Sequence, residues 1–267
     1  NRDRLKDNMW GYDRHTDQTV NIYSAFLQNE WKNDRWGILI GGRLDKHNMV
    51  DNVIFSPRAN LRFNPTQNIN LRLSYSSGFR APQAFDEDMH IENVGGTVAM
   101  IERAKNLKEE KSQSFSASAD MYHRFGVFQT NFLIEGFYTR LTDVFVLGEP
   151  YDRGDGILVK TRSNGPGAKV MGLTLEGKVA YLSILQIQAG LTLQRSRYDE
   201  PHKWHDDAPA EKKIFRTPDT YGYFTATYTP IKPLSIALSG TYTGRMLVQR
   251  MDITLSLIHI SEPTRPE

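Results

Sequence analysis

The sequence predicts an all-β fold, an antiparallel transmembrane β-barrel to which this chain contributes about eleven strands. Two observations predict it. Apolar and polar residues alternate with a period of two over long segments, and short turns alternate with long polar loops. The alternating segments have the length of about 9–11 residues that crosses a bilayer at a tilt. A mean hydropathy of −0.52 is compatible with this fold, because only every second residue of such a strand meets lipid.

Two neighbouring segments alternate most clearly and predict a β-hairpin. Every second residue is apolar in residues 55–63 and again in residues 69–75, and a turn signal separates the two segments. We expect the apolar face to point outward, because an arginine facing lipid near the bilayer midplane costs about 2–4 kcal/mol. The expected outward residues are Phe55, Ala59, Leu61, Phe63, Leu71, Leu73 and Tyr75, and the expected lumen residues are Arg58, Arg62 and Arg72.

The connections between strands alternate in length. Short turns are predicted at residues 33–34, 64–68, 124–126 and 230–233 and around Ser183, and long polar loops at residues 78–110, 143–169 and 195–218. In outer-membrane barrels the short turns are periplasmic and the long loops extracellular. Aromatic residues near the strand ends fit the interfacial girdles of such a barrel. They are Trp31, Trp36, Phe63, Tyr75, Tyr138, Tyr181 and Tyr242.

Composition excludes several other classes of protein. No apolar run approaches the roughly 18 residues of a spanning helix. The 33 basic and 31 acidic residues are spread along the chain, which predicts no nucleic-acid partner. Cysteine is absent, so disulfides and thiolate metal sites are excluded. A soluble β-sandwich or β-propeller stays open as an alternative, although its usual strands of about 5–6 residues are shorter than these segments.

The long loops contain the candidate ligand-binding residues. Carboxylates and a histidine in the first loop could bind calcium or another metal, since hard cations take several oxygen ligands. A second polar group lies in the third loop and could bind a metal or the edge of a haem. For both groups, an ordinary solvated loop is the favoured interpretation. The first group is Asp86, Glu87, Asp88 and His90, followed by Glu92, and the second is His202, Trp204 and His205, followed by Asp206 and Asp207.

Arg80 begins the first long loop, where its guanidinium could meet an anionic ligand or brace the loop, and bracing is favoured. No Gly-x-Ser-x-Gly motif indicates a nucleophile. Residues 152–156 (DRGDG) predict a turn rather than a phosphate-binding loop, because no helix pattern follows. We therefore predict neither an enzyme nor a cofactor.

Six short motifs resemble TonB-dependent outer-membrane receptors and occur in the order that this family shows. Each motif is weak by itself, but six in this order, spread over residues 27–176, are a strong signal together. They are residues 27–31 (LQNEW), 41–45 (GGRLD), 56–58 (SPR), 75–85 (YSSGFRAPQAF), 107–112 (LKEEKS) and 164–176 (NGPGAKVMGLTLE).

This resemblance implies a barrel of 22 strands with a plugged lumen. It also implies a TonB complex as partner, reached through a plug domain that this chain lacks. The implied function is active import of a scarce nutrient such as an iron-siderophore, haem or cobalamin, with outer-membrane lipid and lipopolysaccharide around the barrel. A passive porin and a soluble carbohydrate-binding β-protein are the rival functions.

The two ends of the chain differ from the barrel pattern. Residues 1–7 are polar and contain no signal peptide, so we expect a processed or truncated N-terminus. Residues 255–266 resemble the translation of a sequencing-library adapter, and the alternative is a genuine apolar strand at residues 253–260. We expect residues 1–250 to form part of a barrel and residues 251–267 to be artefactual or disordered. About eleven strands should then give an open, curved half-barrel.

Overall fold

The computed structural model describes residues 2–9, 14–83, 92–94, 97–154, 156–203, 209–249 and 255–258. These residues form β-strands, turns and irregular connections and no helix. Within this described part, no helix is long and apolar enough to cross a membrane. The strands are β1 Arg2–Met9, β2 Arg14–Lys32, β3 Trp36–His47, β4 Ile54–Thr66, β5 Ile69–Arg80, β6 Glu92–Val94, β7 Thr97–Arg103, β8 Glu110–Phe125, β9 Phe128–Thr142, β10 Phe145–Leu147, β11 Tyr151–Asp152, β12 Leu158–Asn164, β13 Ala168–Tyr181, β14 Leu185–His202, β15 Glu211–Lys213, β16 Thr220–Ile231, β17 Leu234–Thr243, β18 Met246–Gln249 and β19 Leu255–Ile258.

One main sheet contains the long strands, each paired antiparallel with its neighbours. In the described residues its order is β1-β2-β3-β4-β5-β8-β9-β13-β14-β16-β17, and β15 adds to β14. Eleven strands along this path agree with the predicted number. The terminal strands β1 and β17 do not pair with each other in the described residues, so the sheet is the partial, open barrel that the sequence predicts.

The two faces of the main sheet separate apolar from polar side chains. Leu61 lies opposite Leu73 across β4 and β5, and Arg62 lies opposite Arg72 on the other face. The same alternation continues to the far side of the sheet, where Leu238 of β17 is 61% exposed. A face of exposed apolar side chains is unfavourable in water and suits a lipid environment.

The buried residues lie near the ends of the strands that meet the long loops. Val144, Val146, Ala168 and Tyr198 form one cluster, and Val50, Ile54 and Ala81 form another. The opposite ends close in short turns at the predicted places. Aromatic pairs flank these turns, with Trp36 stacked on Phe63 at a centroid distance of 4.2 Å and Phe128 beside Tyr181 at 5.0 Å.

The long loops contain more strand than the sequence predicts. β5 continues to Arg80 and β14 to His202, so the predicted loop starts at residues 78 and 195 are too early. A separate sheet contains β10, β12, β7 and β6, with β11 paired to β12, and we call these five strands the loop sheet. It joins the first long loop to the second through β7 and β12, which run parallel.

Two further strands lie near the chain ends. β1 pairs with the loop-side half of β2. The sequence does not predict β1, because its mostly polar residues show no apolar face. The backbone of β19 pairs antiparallel with β18. This pairing agrees with the alternative interpretation, in which residues 253–260 form a genuine apolar strand.

Candidate functional site

The polar face of the main sheet is a continuous wall of hydrogen-bonded side chains, which we call the polar wall. Hydroxyl groups meet across neighbouring strands in three pairs. The oxygen–oxygen distances are 2.6 Å for Ser74–Ser116, 3.0 Å for Ser114–Thr139 and 3.0 Å for Thr174–Thr192. Such cross-strand pairs stabilise the sheet and leave a hydrated surface that can bind polar ligands.

Three arginines give one part of the polar wall a positive charge. Arg58, Arg62 and Arg72 lie on this face, as predicted, and Arg62 is directly opposite Arg72. The Nε of Arg72 donates to Asn70 Oδ1 at 2.6 Å, whereas the buried Nε of Arg62 has no hydrogen-bond partner among the described residues. Like charges directly opposite each other repel, so this part of the wall favours an anion.

A carboxylate network lies on the same wall, further along the sheet. Tyr223 donates its hydroxyl proton to Glu176 Oε1 at 2.6 Å, and Gln188 Nε2 donates to the same oxygen and to the Tyr223 hydroxyl at 2.7 Å. These three residues come from β13, β14 and β16, which are adjacent in the sheet. The polar wall therefore has a positive region and a negative region.

The loop sheet lies at the loop end of the main sheet and is fastened there by Asn164. The Asn164 Oδ1 accepts the backbone N–H of Lys108 at 2.7 Å. Its Nδ2 donates to the carbonyl oxygens of Lys108 at 3.0 Å and of Asp143 at 2.8 Å. One side chain thus joins the bases of two long loops.

The family described as "TonB dependent receptor-like, beta-barrel" matches residues 3–252 of this chain. The chain belongs to this family. The match covers the strands that form the polar wall and both segments that form the loop sheet. No relative was found among curated protein sequences.

Solved structures of siderophore receptors and an iron transporter have the same fold. The siderophore receptor PirA from Pseudomonas aeruginosa is 17% identical with a TM-score of 0.66, over 86% of this chain and 41% of that one. PirA from Acinetobacter baumannii is 15% identical with a TM-score of 0.67, over 97% and 40%. The FrpB iron transporter (F3-3 variant) from Neisseria meningitidis is 15% identical with a TM-score of 0.63, over 91% and 36%. This TonB-dependent receptor chain therefore spans less than half of these proteins.

Because the chain belongs to this family, the TonB-dependent receptor is located in the outer membrane of a Gram-negative bacterium. Arg80 lies where the first long loop begins and contacts the second long loop. It is the last residue of β5 and lies opposite Glu110. Its guanidinium carbon is 5.5 Å from the ring centroid of Phe145, and Glu110 Oε2 accepts the Phe145 backbone N–H at 2.9 Å. The contact joins the base of the first long loop to the start of the second.

His202 of this receptor ends β14 beside the second long loop. Burial lowers the pKa of its imidazole, and this effect is opposed by a hydrogen bond with the Leu147 backbone and by the charge of Glu149. The ring is 6.0 Å from the ring centroid of Tyr198. The side chain of His202 therefore packs at the end of β14 against the second long loop and does not lie in an open loop.

The remaining predicted site residues, Asp86, Glu87, Asp88, His90, Trp204 and His205, lie outside the described residues. In the part of the receptor that the structure describes, no group of three or more His, Cys, Asp or Glu residues could hold a metal ion. Asn164 and Tyr223, which make the hydrogen bonds described above, are not among the predicted site residues. Asn164 begins one of the six family motifs, which was the available signal, whereas no local pattern indicated that Tyr223 meets Glu176.

Proposed function

We propose that the complete protein is an active outer-membrane importer of a small iron chelate, with this chain forming part of its barrel. The family match over residues 3–252 is the observation on which this proposal rests. Siderophore receptors and an iron transporter among the similar structures support an iron chelate as cargo. Haem and cobalamin are the alternative cargoes, and the protein is proposed to have no enzymatic activity.

The proposed orientation places the apolar face against lipid and the polar wall towards the lumen. On the apolar face of β9, Phe128 and Tyr138 are ten residues apart. At about 3.4 Å per residue and a tilt of about 40°, they are separated by roughly 26 Å along the bilayer normal, close to the apolar band of an outer-membrane barrel. The loop sheet then lies outside the cell, where it can meet the cargo first.

The proposed import cycle uses partners that lie outside this chain. The loop sheet and the upper polar wall capture the chelate, since binding residues lie preferentially on loops positioned by a rigid scaffold. A plug domain coupled to the TonB complex then moves and releases the chelate into the periplasm. Collapse of the proton gradient is expected to stop uptake through such an importer and to leave a passive porin unaffected.

Deletion of residues 86–104 in the complete receptor tests the role of the first long loop. The deletion removes β6 and β7, and with them the parallel partner of β12. Uptake of ferric siderophore should be abolished, while heat-modifiable migration in gels should show an assembled barrel. Lys232→Ala, in a short turn at the opposite end of the sheet, is the control and should import normally. Normal uptake by the deletion variant would refute the proposal.

We also propose that residues 1–250 are the barrel portion and that residues 251–267 do not belong to the natural barrel. The similarity of residues 255–266 to an adapter translation supports this division. Resequencing the gene across codons 245–267 tests it, and recovery of the same residues from an independent library would overturn it.

A further inference from the structure

Asn164, which fastens the loop sheet, is followed by a glycine, and this is the only Asn-Gly pair among the 267 residues. An asparagine side chain before glycine can react with its own backbone, because glycine has no side chain to hinder the approach of its amide nitrogen. The reactive pair therefore occurs at the residue whose amide holds the bases of two long loops together.

The packing of the second long loop requires glycine at position 165. A Cβ atom on Gly165 would lie 2.7 Å from both Cγ1 and Cγ2 of Val146, which is closer than real Cβ atoms approach. Val146 is 7% exposed and belongs to one of the two buried clusters at the loop end. A larger residue at position 165 would slow the reaction of Asn164, but it would also displace this cluster. The close packing therefore retains the residue that makes Asn164 reactive.

The attached loop sheet protects the pair from reaction. Asn164 is the last residue of β12, so its backbone is held in an extended conformation. The Gly165 N–H donates to the Val144 carbonyl oxygen at 2.7 Å, and the Asn164 amide is held by Lys108 and Asp143. The reaction requires a free backbone nitrogen and a side chain that can turn towards it. Both become available only when these hydrogen bonds open.

We propose that Asn164–Gly165 is a self-modification site, whose reaction releases the loop sheet permanently. In the opened state the backbone nitrogen of Gly165 loses its proton and forms a bond to Cγ of Asn164. The bond from Cγ to the side-chain nitrogen breaks, and this nitrogen takes up the proton and leaves as ammonia. Water then opens the resulting five-membered imide ring at either carbonyl carbon. The product is aspartate or isoaspartate, and water is the only co-reactant.

Either product removes the attachment of the loop sheet. The side-chain nitrogen of Asn164 donates to the carbonyl oxygens of Lys108 at 3.0 Å and of Asp143 at 2.8 Å, and in the product an oxygen without a proton takes its place. Both carbonyl groups then face an acceptor and lose their donor. Isoaspartate also inserts a methylene into the backbone where β12 pairs with β10. A receptor that has reacted therefore does not restore the link between the first and second long loops.

Peptide mapping by mass spectrometry, after incubation of the complete receptor in mildly alkaline buffer, tests the reactivity. In receptor that has been unfolded in urea, Asn164 should convert faster than Asn52, which precedes a β-branched valine. In folded receptor the conversion of Asn164 should be at least roughly tenfold slower, because only the opened fraction reacts. Val146→Ala loosens the packing on Gly165 and should raise the rate in folded receptor by roughly tenfold. Lys232→Ala, at the short-turn end, is the matched control and should leave this rate unchanged.

A second measurement tests the release of the loop sheet. Asn164→Asp reproduces one of the two products, and hydrogen exchange in β7 and β12 should accelerate by roughly tenfold or more in this variant. Wild-type receptor enriched in the converted form should show the same acceleration. If Val146→Ala does not fold, Glu110→Ala replaces it in the first measurement, since it removes the acceptor of the Phe145 backbone N–H at the start of the second long loop.

Four results would overturn the proposal. They are no preferential conversion of Asn164 in the unfolded chain, equal rates in folded and unfolded wild type, no acceleration in the loosened variant, and unchanged exchange of β7 and β12 in Asn164→Asp. The proposal does not depend on the cargo of the receptor. Uptake of an iron chelate by freshly prepared wild type therefore tests the proposed function separately, and its failure leaves the self-modification site unaffected.

Discussion

At the scale of single residues, the side chain of Asn164 links the two long loops. Its amide makes three hydrogen bonds to backbone groups of Lys108 and Asp143. Each contributes about 0.5–1.5 kcal/mol net, so the loss of all three in Asn164→Ala should destabilise the loop attachment by about 1.5–4.5 kcal/mol. Hydrogen exchange in β7 and β12 should accelerate by roughly tenfold or more. Asn52→Ala, on an exposed connection, is the control, and equal exchange in both variants would contradict the assignment.

His202 should make the end of β14 sensitive to pH. Burial lowers the pKa of its imidazole relative to the ordinary value of about 6.5. The opened state then binds a proton more readily than the packed state, so the stability present above about pH 6.5 is lost as the pH falls through the lowered pKa. Protease cleavage near residues 199–203 should increase between pH 7.5 and 5.5 in the wild type.

His202→Gln should flatten this pH dependence, because glutamine does not titrate. His123→Gln changes a histidine at the short-turn end and is the matched control, which should keep the pH dependence of the wild type. A pH response that survives in His202→Gln would assign the effect to another group of the second or third loop.

At the scale of elements, β13 can pack closely between its neighbours because of Gly172. A Cβ atom there would lie 2.6 Å from the Leu193 carbonyl oxygen and 2.6 Å from Phe137 Cζ. At Gly177 of the same strand, a Cβ would meet nothing within 4 Å. Gly172→Ala should therefore lower the stability of the barrel by about 1–3 kcal/mol, whereas Gly177→Ala should be neutral or slightly stabilising. Denaturant unfolding of the complete receptor in vesicles measures both, and equal midpoints would contradict the close packing.

The long strands were predictable from sequence because lipid-facing and lumen-facing residues alternate along them, as in β4 and β5. The parallel pairing of β7 with β12 was not predictable from sequence, because two strands of the main sheet, β8 and β9, lie between these short strands along the chain. The burial of polar side chains at the loop end of the sheet was also not predictable from sequence. Alternation assigns Asp45 to the hydrated face, yet its side chain is 2% exposed and accepts hydrogen bonds from Ser24 and Arg43. Ser24 lies on the neighbouring strand β2, directly opposite Asp45, and no pattern local to β3 reveals this partner.

At the scale of the whole molecule, the bilayer determines which substitutions the barrel tolerates. Leu61 and Asn60 are neighbours on β4 and lie on opposite faces. Leu61→Arg should cost about 2–4 kcal/mol if it places a charge in hydrocarbon, whereas Asn60→Arg faces the lumen and should cost much less. Unfolding in vesicles measures the difference. Equal costs, or a larger cost for Asn60→Arg, would reverse the assignment of the faces.

The open sheet has a consequence for expression of these 267 residues alone. In the described residues, β1 and β17 each pair on one side only. Unpaired backbone groups are not tolerated in hydrocarbon and invite pairing with another chain. We expect the isolated chain to aggregate, which fractionation of expressing cells would detect. A soluble or membrane-inserted monomer with a closed barrel would contradict the strand order found here.

The parallel pairing of β7 with β12 also determines how such receptors can exchange parts. A chimera that receives residues 97–103 without residues 158–164 would present β7 to a foreign partner, and the recipient's own strand would lose its register. The two loops are thus one module for recombination, even though the gene encodes them apart. Sequence variation in one segment should accordingly be matched by variation in the other, and grafts should transfer the two segments as a pair.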